Sequence, residues 1–183
     1  MRVIGGAARG RRLRVPRGKD VRPTADRVRE TLFNWLQGEV EGARVLDLFA
    51  GSGALGIEAL SRGAGHATFV EQGRPALAAL RDNLTIFGED ARIRVVPASA
   101  WRFLAGTAER PFDLVFLDPP FGHQWAGRAA AALEVGGWLA PEARIYLEAG
   151  KDEGSPTVPE RWREDRSGTC GASDFHLYRR DGE

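Results

Sequence analysis

The sequence predicts an α/β fold with a mostly parallel, seven-stranded sheet that is covered by helices on both faces. Three observations support this prediction. From Arg44 onward, short apolar runs alternate with segments of helical periodicity, which is the pattern of strand–helix–strand units. The run that begins at Val45 turns through glycines and continues as helix-like sequence past Gly56. The run Phe112–Leu117 is almost wholly apolar, as expected for a central parallel strand.

The first residues predict a small basic hairpin. Arg2–Ile4 and Leu13–Val15 are short candidate strands, and the glycines between them break the chain. A length of 183 residues suits one domain with a modest appendage. We therefore expect a β-hairpin extension over residues 1–20 and the main domain over residues 21–183.

A helix is predicted to follow the hairpin. Pro23 stops any earlier structure, Thr24 is a candidate N-cap, and apolar residues recur at helical spacing over residues 28–36. Arg27 and Arg29 lie in the first turns, where cations oppose the helix dipole. These two arginines are either exposed to solvent or serve a nearby carboxylate or phosphate.

The alternating region supplies the remaining elements. The predicted strands are Arg44–Leu48, Ala67–Val70, Ile93–Val96, Phe112–Leu117, Arg144–Glu148, Trp162–Asp165 and Phe175–Arg179. The predicted helices are Ala54–Ser61, Arg74–Phe87, Ala100–Ala105 and Ala126–Glu134. The one linker-like stretch, Gly150–Pro159, is too short to divide the chain into further domains.

The composition indicates an ordinary globular protein. Hydrophobic residues make up 43% of the chain and charged residues 28%, which are typical values for that class. No run approaches 18 uncharged apolar residues, and the first residues lack the layout of a signal peptide. The single Cys170 excludes an intramolecular disulfide and a multi-cysteine zinc site. We expect a cytoplasmic, monomeric protein that binds neither a membrane nor a metal.

Positive charge is concentrated at the start of the chain. Residues 1–29 contain ten Lys and Arg against two Asp, so that this segment has a net charge of +8. Because the whole chain has a net charge of +1, the remaining 154 residues together carry −7. This distribution favours a polyanionic partner such as a nucleic acid, and a solubilising tail is the alternative. The candidate contact residues are Arg9, Arg11, Arg12 and Arg22.

Doubly wound sheets bind their ligands beyond the carboxyl ends of the strands. The residues that directly follow the first four strands should therefore converge on one crevice. They are Phe49, Ala50, Gly51 and Gly53 after the first strand, Glu71 after the second, Ser99 and Ala100 after the third, and Asp118, Pro119, Pro120 and Phe121 after the fourth. The glycine turn also places backbone N–H groups at a helix N-terminus, where a nucleotide-like ligand can be held.

Two carboxylates near the glycine turn help to choose this ligand. Glu71 lies 20 residues after Gly51, where an acid accepts hydrogen bonds from the ribose hydroxyls of NAD or of an adenosyl ligand. Asp47 directly precedes the turn and would repel a pyrophosphate, whereas it would attract a cationic ligand such as S-adenosylmethionine. Alternatively, Asp47 is structural and is satisfied by N–H groups of the turn or by Arg27.

The loop Asp118-Pro119-Pro120-Phe121 suits methylation of an exocyclic amine. Such an amine is a poor nucleophile because its lone pair is delocalised into the ring. Asp118 and the Pro119 carbonyl could each accept one N–H and hold the nitrogen nearly tetrahedral, and Phe121 offers a face for stacking of an extruded base. The two prolines stiffen the loop. Alone, the loop also fits an ordinary turn after a strand.

Four motifs give the chain a resemblance to a known family. They are R-P-T-x-D-R-V-R-E-T-L-F-N-W-L from Arg22 to Leu36, D-x-F-A-G-S-G-A-L-G from Asp47 to Gly56, E-A-L-S-R from Glu58 to Arg62, and D-P-P-F from Asp118 to Phe121. On these motifs the chain resembles the class I S-adenosylmethionine-dependent methyltransferases with their Rossmann-like fold. Within that class it is most similar to the bacterial small-subunit ribosomal RNA guanine-N2 methyltransferases, from Ile4 to near the C-terminus.

The resemblance implies methyl transfer from S-adenosylmethionine to a guanine N2 amine of 16S rRNA, on an assembling small subunit. It makes the basic hairpin an RNA-contact element and adds Thr24 to the residues expected at the cofactor. Gly73 stands where the family usually has a polar residue, so that ribose binding rests on Glu71. Ser99 stands where an Asp or Asn commonly reads the adenine amine.

Three other functions stay open. An adenine-N6 methyltransferase acting on RNA or DNA would share the chemistry of the Asp118 loop, although DNA enzymes usually need a target-reading domain as well. A nicotinamide-dependent oxidoreductase would fit the Gly51-x-Gly53-x-x-Gly56 pattern but leaves Asp118 unexplained. A non-catalytic RNA-binding module would fit the basic hairpin. His123 and Trp125 are further candidates to line a base pocket, whereas the other histidines are expected at the surface or in packing.

Overall fold

The computed structural model describes residues 1–16 and 26–182. The helices are α1 Asp26–Trp35, α2 Ala54–Ser61, α3 Arg74–Leu84, α4 Ala100–Leu104 and α5 Trp125–Val135. The strands are β1 Arg44–Asp47, β2 His66–Val70, β3 Ile93–Val96, β4 Phe112–Leu117, β5 Leu139–Gly150, β6 Trp162–Cys170 and β7 Ser173–Arg180. Two short 3₁₀ helices, Thr85–Phe87 and Lys151–Glu153, complete the regular elements in the described part of the chain.

These strands form one seven-stranded sheet in the order β3-β2-β1-β4-β5-β7-β6. The first five strands in this order, β3, β2, β1, β4 and β5, run parallel to one another. Strand β7 is antiparallel to both β5 and β6. A short turn at Gly171 joins β6 to β7, and a connection of that length can join only antiparallel strands. The predicted seven-stranded α/β sheet is therefore confirmed, as a mixed sheet with one antiparallel hairpin.

The sheet separates two hydrophobic cores. One core lies between the sheet and helices α1, α2 and α3, and the other lies under α4 and α5. Successive strand residues alternate between them, so that Val45 belongs to the first core and Leu46 to the second. This alternation places Asp47 on the side of α2. Within the described residues, no helix has the length and apolar character needed to cross a membrane.

The N-terminal segment, residues 1–16, packs against α1 and α2. Its apolar side chains Val3, Ala8 and Leu13 are buried in the first core. Arg2 and Arg12 form one antiparallel bridge, and no regular strand is assigned within residues 1–16. The two-stranded hairpin therefore stays a prediction, as does the domain boundary after residue 20, which lies outside the described residues.

A buried carboxylate fastens this segment to the main domain. Glu58 of α2 accepts hydrogen bonds from the backbone N–H groups of Ile4 at 2.8 Å and Gly5 at 2.7 Å. It also accepts one from Arg62 Nε at 2.8 Å and lies 3.6 Å from a guanidinium nitrogen of Arg29. Arg29 is fully buried and donates to the Arg2 carbonyl at 2.7 Å. Arg29 thus serves a carboxylate, which is one of the two roles considered for it.

Candidate active site

A cavity of about 640 Å³ lies at the carboxyl ends of the parallel strands. Ten of the predicted site residues line it: Asp47, Phe49, Ala50, Gly51, Glu71, Ser99, Ala100, Asp118, Pro119 and Phe121. Gly53 lies in the glycine turn but not on the cavity wall. Arg9, Arg11 and Arg12 are exposed on the N-terminal segment, and Thr24 and Arg22 lie outside the described residues. The strands therefore bring together the candidate catalytic and cofactor residues.

The conformation of the turn after β1 requires glycine. Gly51 and Gly53 have φ angles of 55° and 85°, in the left-handed region that side chains other than glycine rarely adopt. A Cβ atom on Gly53 would lie 2.4 Å from Leu80 Cδ1. Gly53 therefore shapes the turn and lets α2 begin close against α3, while Gly51 lines the cavity.

Asp47 is a buried carboxylate at the start of this turn. Its side chain is 2% exposed, and Gly56 N donates to Oδ2 at 3.0 Å. Burial raises the pKa of the Asp47 carboxyl from 3.8 to about 7, the hydrogen bond from Gly56 lowers this pKa in part, and the charge of Glu71 raises it. The ionised carboxylate is therefore costly in the protein alone, and a cationic ligand in the cavity would stabilise it.

Asp47→Asn should stabilise the protein more at pH 8 than at pH 5. Because the folded-state pKa lies above the unfolded one, the wild type loses stability as the pH rises from about 4 through about 7. We expect the gain in unfolding free energy of the variant to be roughly 2 kcal/mol larger at pH 8 than at pH 5. Denaturant unfolding at the two pH values measures this gain. An equal gain at both would contradict the raised pKa.

Backbone amides hold the Glu71 carboxylate at the cavity. Gly51 N donates to Oε2 at 2.8 Å, and Gly73 N donates to Oε1 at 2.6 Å. Each carboxylate oxygen has a further lone pair with which it can accept a hydrogen bond from a hydroxyl group. Gly73 contributes its backbone amide at a position where the family resemblance implied a polar side chain, and this amide orients Glu71.

Ser99 lies at the cavity as the N-cap of α4. Its Oγ accepts a hydrogen bond from Arg102 N at 3.1 Å, which is the usual capping contact. The described contact is therefore structural, and an adenine contact of Ser99 stays a prediction.

The Asp118 loop directly follows β4 and continues the cavity wall. Pro119 is buried, whereas Asp118 and Phe121 are half-buried. A Cβ atom on Gly150 would lie 3.4 Å from Phe121 Cγ, so that the aromatic ring rests against the end of β5. Gly122 N donates to the carboxylate of Glu153. These contacts attach the loop to the neighbouring strand and to the turn after it.

An aromatic cluster lies beside this loop, and sequence reasoning missed one of its four members, Trp101. The Phe49 and Trp125 rings are stacked with centroids 6.1 Å apart, and Trp101 packs edge-on against both. His123 stacks on Trp125 at 4.8 Å. All four side chains line the cavity. The sequence signal that was available for Trp101 is that it directly follows the predicted site residues Ser99 and Ala100.

The N-terminal segment borders the same cavity, since Met1, Val15 and Pro16 line it. The buried side chain of Asn83 holds the segment there. Its Oδ1 accepts from Arg14 N at 2.7 Å, and its Nδ2 lies 2.9 Å from the carbonyl oxygens of both Arg14 and Ser52. Asn83 therefore ties the basic segment to the glycine turn, although no sequence motif marks it.

Among the described residues, no group of three or more His, Cys, Asp or Glu is placed to hold a metal ion. His66 contacts Thr68 and His176 contacts Glu164. Neither histidine lines the cavity.

Comparison with known proteins places these features in a family. The family model described as conserved hypothetical protein 95 matches residues 1–179. Ribosomal RNA small subunit methyltransferase D of Escherichia coli (strain K12) is 46% identical over 183 residues, which cover 100% of this chain and 91% of that protein. The Haemophilus influenzae protein of the same name is 43% identical over 97% of this chain and 93% of its own. The solved structure of Escherichia coli yhhF superposes with a TM-score of 0.90 at 45% identity, covering 100% of this chain and 99% of that one.

Proposed function

This chain belongs to the family described as conserved hypothetical protein 95, and we propose that it methylates small-subunit ribosomal RNA at the exocyclic N2 amine of a guanine. One observation carries the proposal. The Asp118 loop, Asp47 and Glu71 line a single cavity at the carboxyl ends of the strands. The names of the Escherichia coli and Haemophilus influenzae relatives support ribosomal RNA of the small subunit as the substrate.

The methyl donor is S-adenosylmethionine, and the cavity suits its charge. Two carboxylates beside the glycine turn line the wall, those of Asp47 and Glu71. Such a wall attracts a sulfonium and an ammonium group but opposes the pyrophosphate of NAD. Glu71 would hold the ribose, and the Gly51 turn would lie against the rest of the ligand. The bound cofactor supplies an electrophilic methyl group.

The Asp118 loop would prepare the amine for methyl transfer. Asp118 and the Pro119 carbonyl accept its two N–H groups, so that the nitrogen lone pair is directed at the methyl carbon. As the nitrogen gains the methyl group, Asp118 accepts the proton that the amine loses and passes it to water. Phe121 stacks on the extruded base, which contributes about 1–3 kcal/mol of binding.

The basic N-terminal segment would bind the RNA around the target base. Arg9, Arg11 and Arg12 are exposed on a segment whose ends line the cavity. Exposed guanidinium groups contact phosphates without reading sequence. The substrate proposed from these features is 16S rRNA on an assembling small subunit, with the enzyme acting as a monomer.

Arg12→Ala should weaken RNA binding in a salt-dependent manner. Loss of one phosphate contact should lower the slope of log affinity against log salt by about 1. Binding to small-subunit RNA at several salt concentrations measures this slope, and affinity for S-adenosylmethionine should not change. Arg110→Ala, at an exposed arginine outside the segment, is the matched control. Equal slopes for the two variants would contradict the assigned RNA surface.

Transfer of labelled methyl groups tests the proposed function. Wild-type protein, labelled S-adenosylmethionine and one of three acceptors are combined: undermethylated small subunits, free 16S rRNA or DNA. Label should enter the RNA. Label in DNA would favour the adenine-N6 alternative, and label in no acceptor would favour a non-catalytic RNA-binding module. Calorimetry should show binding of S-adenosylmethionine, and tight binding of NAD instead would favour an oxidoreductase.

A further inference from the structure

A second carboxylate, Glu148 of β5, lies beside the Asp118 loop. In the parallel pairing of β4 with β5, Leu117 is opposite Leu147, which makes Asp118 and Glu148 the next positions on neighbouring strands. Neighbouring strands lie about 4.8 Å apart. Both residues line the cavity, and Glu148 is only 7% exposed. A buried carboxylate is therefore placed next to the proposed amine-binding residue.

A tyrosine fixes this carboxylate. Tyr146 Oη donates a hydrogen bond to Glu148 Oε2 at 2.9 Å, and the tyrosine is fully buried. Burial, followed by the negative charges of Glu148 and Asp118, raises the pKa of Tyr146 well above its ordinary value of 10.0. The phenol therefore stays protonated at neutral pH and remains a donor. This hydrogen bond engages one oxygen of Glu148, and a carboxylate has a second.

Guanine and adenine differ beside the amine that is methylated. In guanine the ring atom next to the N2 amine is N1, which carries a hydrogen and is a donor. In adenine the N1 next to the N6 amine is an acceptor with a lone pair. A carboxylate beside the amine site accepts a hydrogen bond from the N1–H of guanine, whereas it repels the N1 lone pair of adenine. A pair of well-placed hydrogen bonds to a base edge discriminates by about 1–3 kcal/mol.

We propose that Glu148 selects guanine by accepting the N1–H while Asp118 and Pro119 hold the N2 amine. This inference rests on the proposed function and names the residue that determines its base specificity. A purely structural Glu148 would serve only as the partner of Tyr146. The two roles differ in whether a substitution changes the choice between bases.

Glu148→Gln separates the two roles. Glutamine retains an oxygen for the Tyr146 hydroxyl, but its amide can donate a hydrogen bond to an N1 lone pair. The substrates are 16S rRNA with the mapped target guanosine and the same RNA with 2-aminopurine at that position, which keeps the C2 amine but lacks N1–H. The wild type should prefer guanosine by about 10- to 100-fold in kcat/KM. Glu148→Gln should lose most of this preference, through a slower reaction of guanosine.

The folding and the cofactor affinity of Glu148→Gln are measured on the same preparation. Glu148→Gln should keep the melting temperature and the S-adenosylmethionine affinity of the wild type. If it does not fold, Tyr146→Phe serves instead, because loss of the hydroxyl frees the carboxylate and should reduce the preference by a few-fold. An unchanged preference in the folded variant would overturn the role of Glu148 alone. A wild type that methylates neither substrate would overturn the proposed function.

Discussion

Asp118→Ala is expected to reduce methyl transfer to small-subunit RNA by about 10³-fold or more. The variant removes the proposed acceptor of the amine proton, while Phe121 and Gly122 still attach the loop to Gly150 and Glu153. Because the glycine turn and Glu71 are untouched, the Kd for S-adenosylmethionine should change little. Single-turnover kinetics and calorimetry on the same preparation measure the two effects.

Asp118→Asn is the matched control for this prediction. It keeps the size of the side chain and one acceptor oxygen but removes the charge, so that its rate should lie between those of the wild type and Asp118→Ala. An active Asp118→Ala enzyme would exclude the loop as the site of amine activation. Loss of cofactor binding in the same variant would instead give Asp118 a role in holding the cofactor.

Glu58→Ala should cause the largest loss of stability. Its carboxylate accepts hydrogen bonds from Ile4 N, Gly5 N and Arg62 Nε, and lies beside the fully buried Arg29. Without Glu58, two backbone N–H groups lose their acceptor and the buried Arg29 keeps only Asp26 as a charged partner, which together cost about 3–5 kcal/mol. For a domain of this size the melting temperature should fall by about 10 °C.

Calorimetric melting of Glu58→Ala beside Glu89→Ala measures this effect. Glu89 is an exposed acid in the loop before β3, so its replacement should change the melting temperature by less than about 2 °C. Equal melting temperatures for the two variants would show that the Glu58–Arg29 pair does not stabilise the N-terminal segment.

The elements that the sequence predicted best are those with clear local signals. The bounds of β4 and α2 match to the residue, because β4 is an unbroken apolar run and α2 begins at a glycine turn and ends before Gly63. The beginning of β5 was missed because Pro141 interrupts its first half. Strand β6 extends beyond the prediction because it lies at the edge of the sheet and is largely exposed, which removes the apolar signal.

Much of the candidate site followed from one rule about parallel sheets. Residues that directly follow strands, such as Asp118 and Glu71, line one cavity because the strands end at the same edge. Asn83 could not be recognised in this way, because its position depends on contacts between elements distant in sequence. Glu148 ends the fifth predicted strand and obeys the same rule, but the rule was applied only to the first four strands. The roles of Thr24 and Arg22 stay predictions.

Nucleoside analysis of RNA methylated by the wild-type protein tests most directly whether this cavity acts on a guanine amine. Undermethylated small subunits are incubated with labelled S-adenosylmethionine, and the RNA is digested to nucleosides and separated. We predict that the label is found in N2-methylguanosine and is absent when Asp118→Ala replaces the wild type. Label in N6-methyladenosine would contradict both the guanine assignment and the role of Glu148.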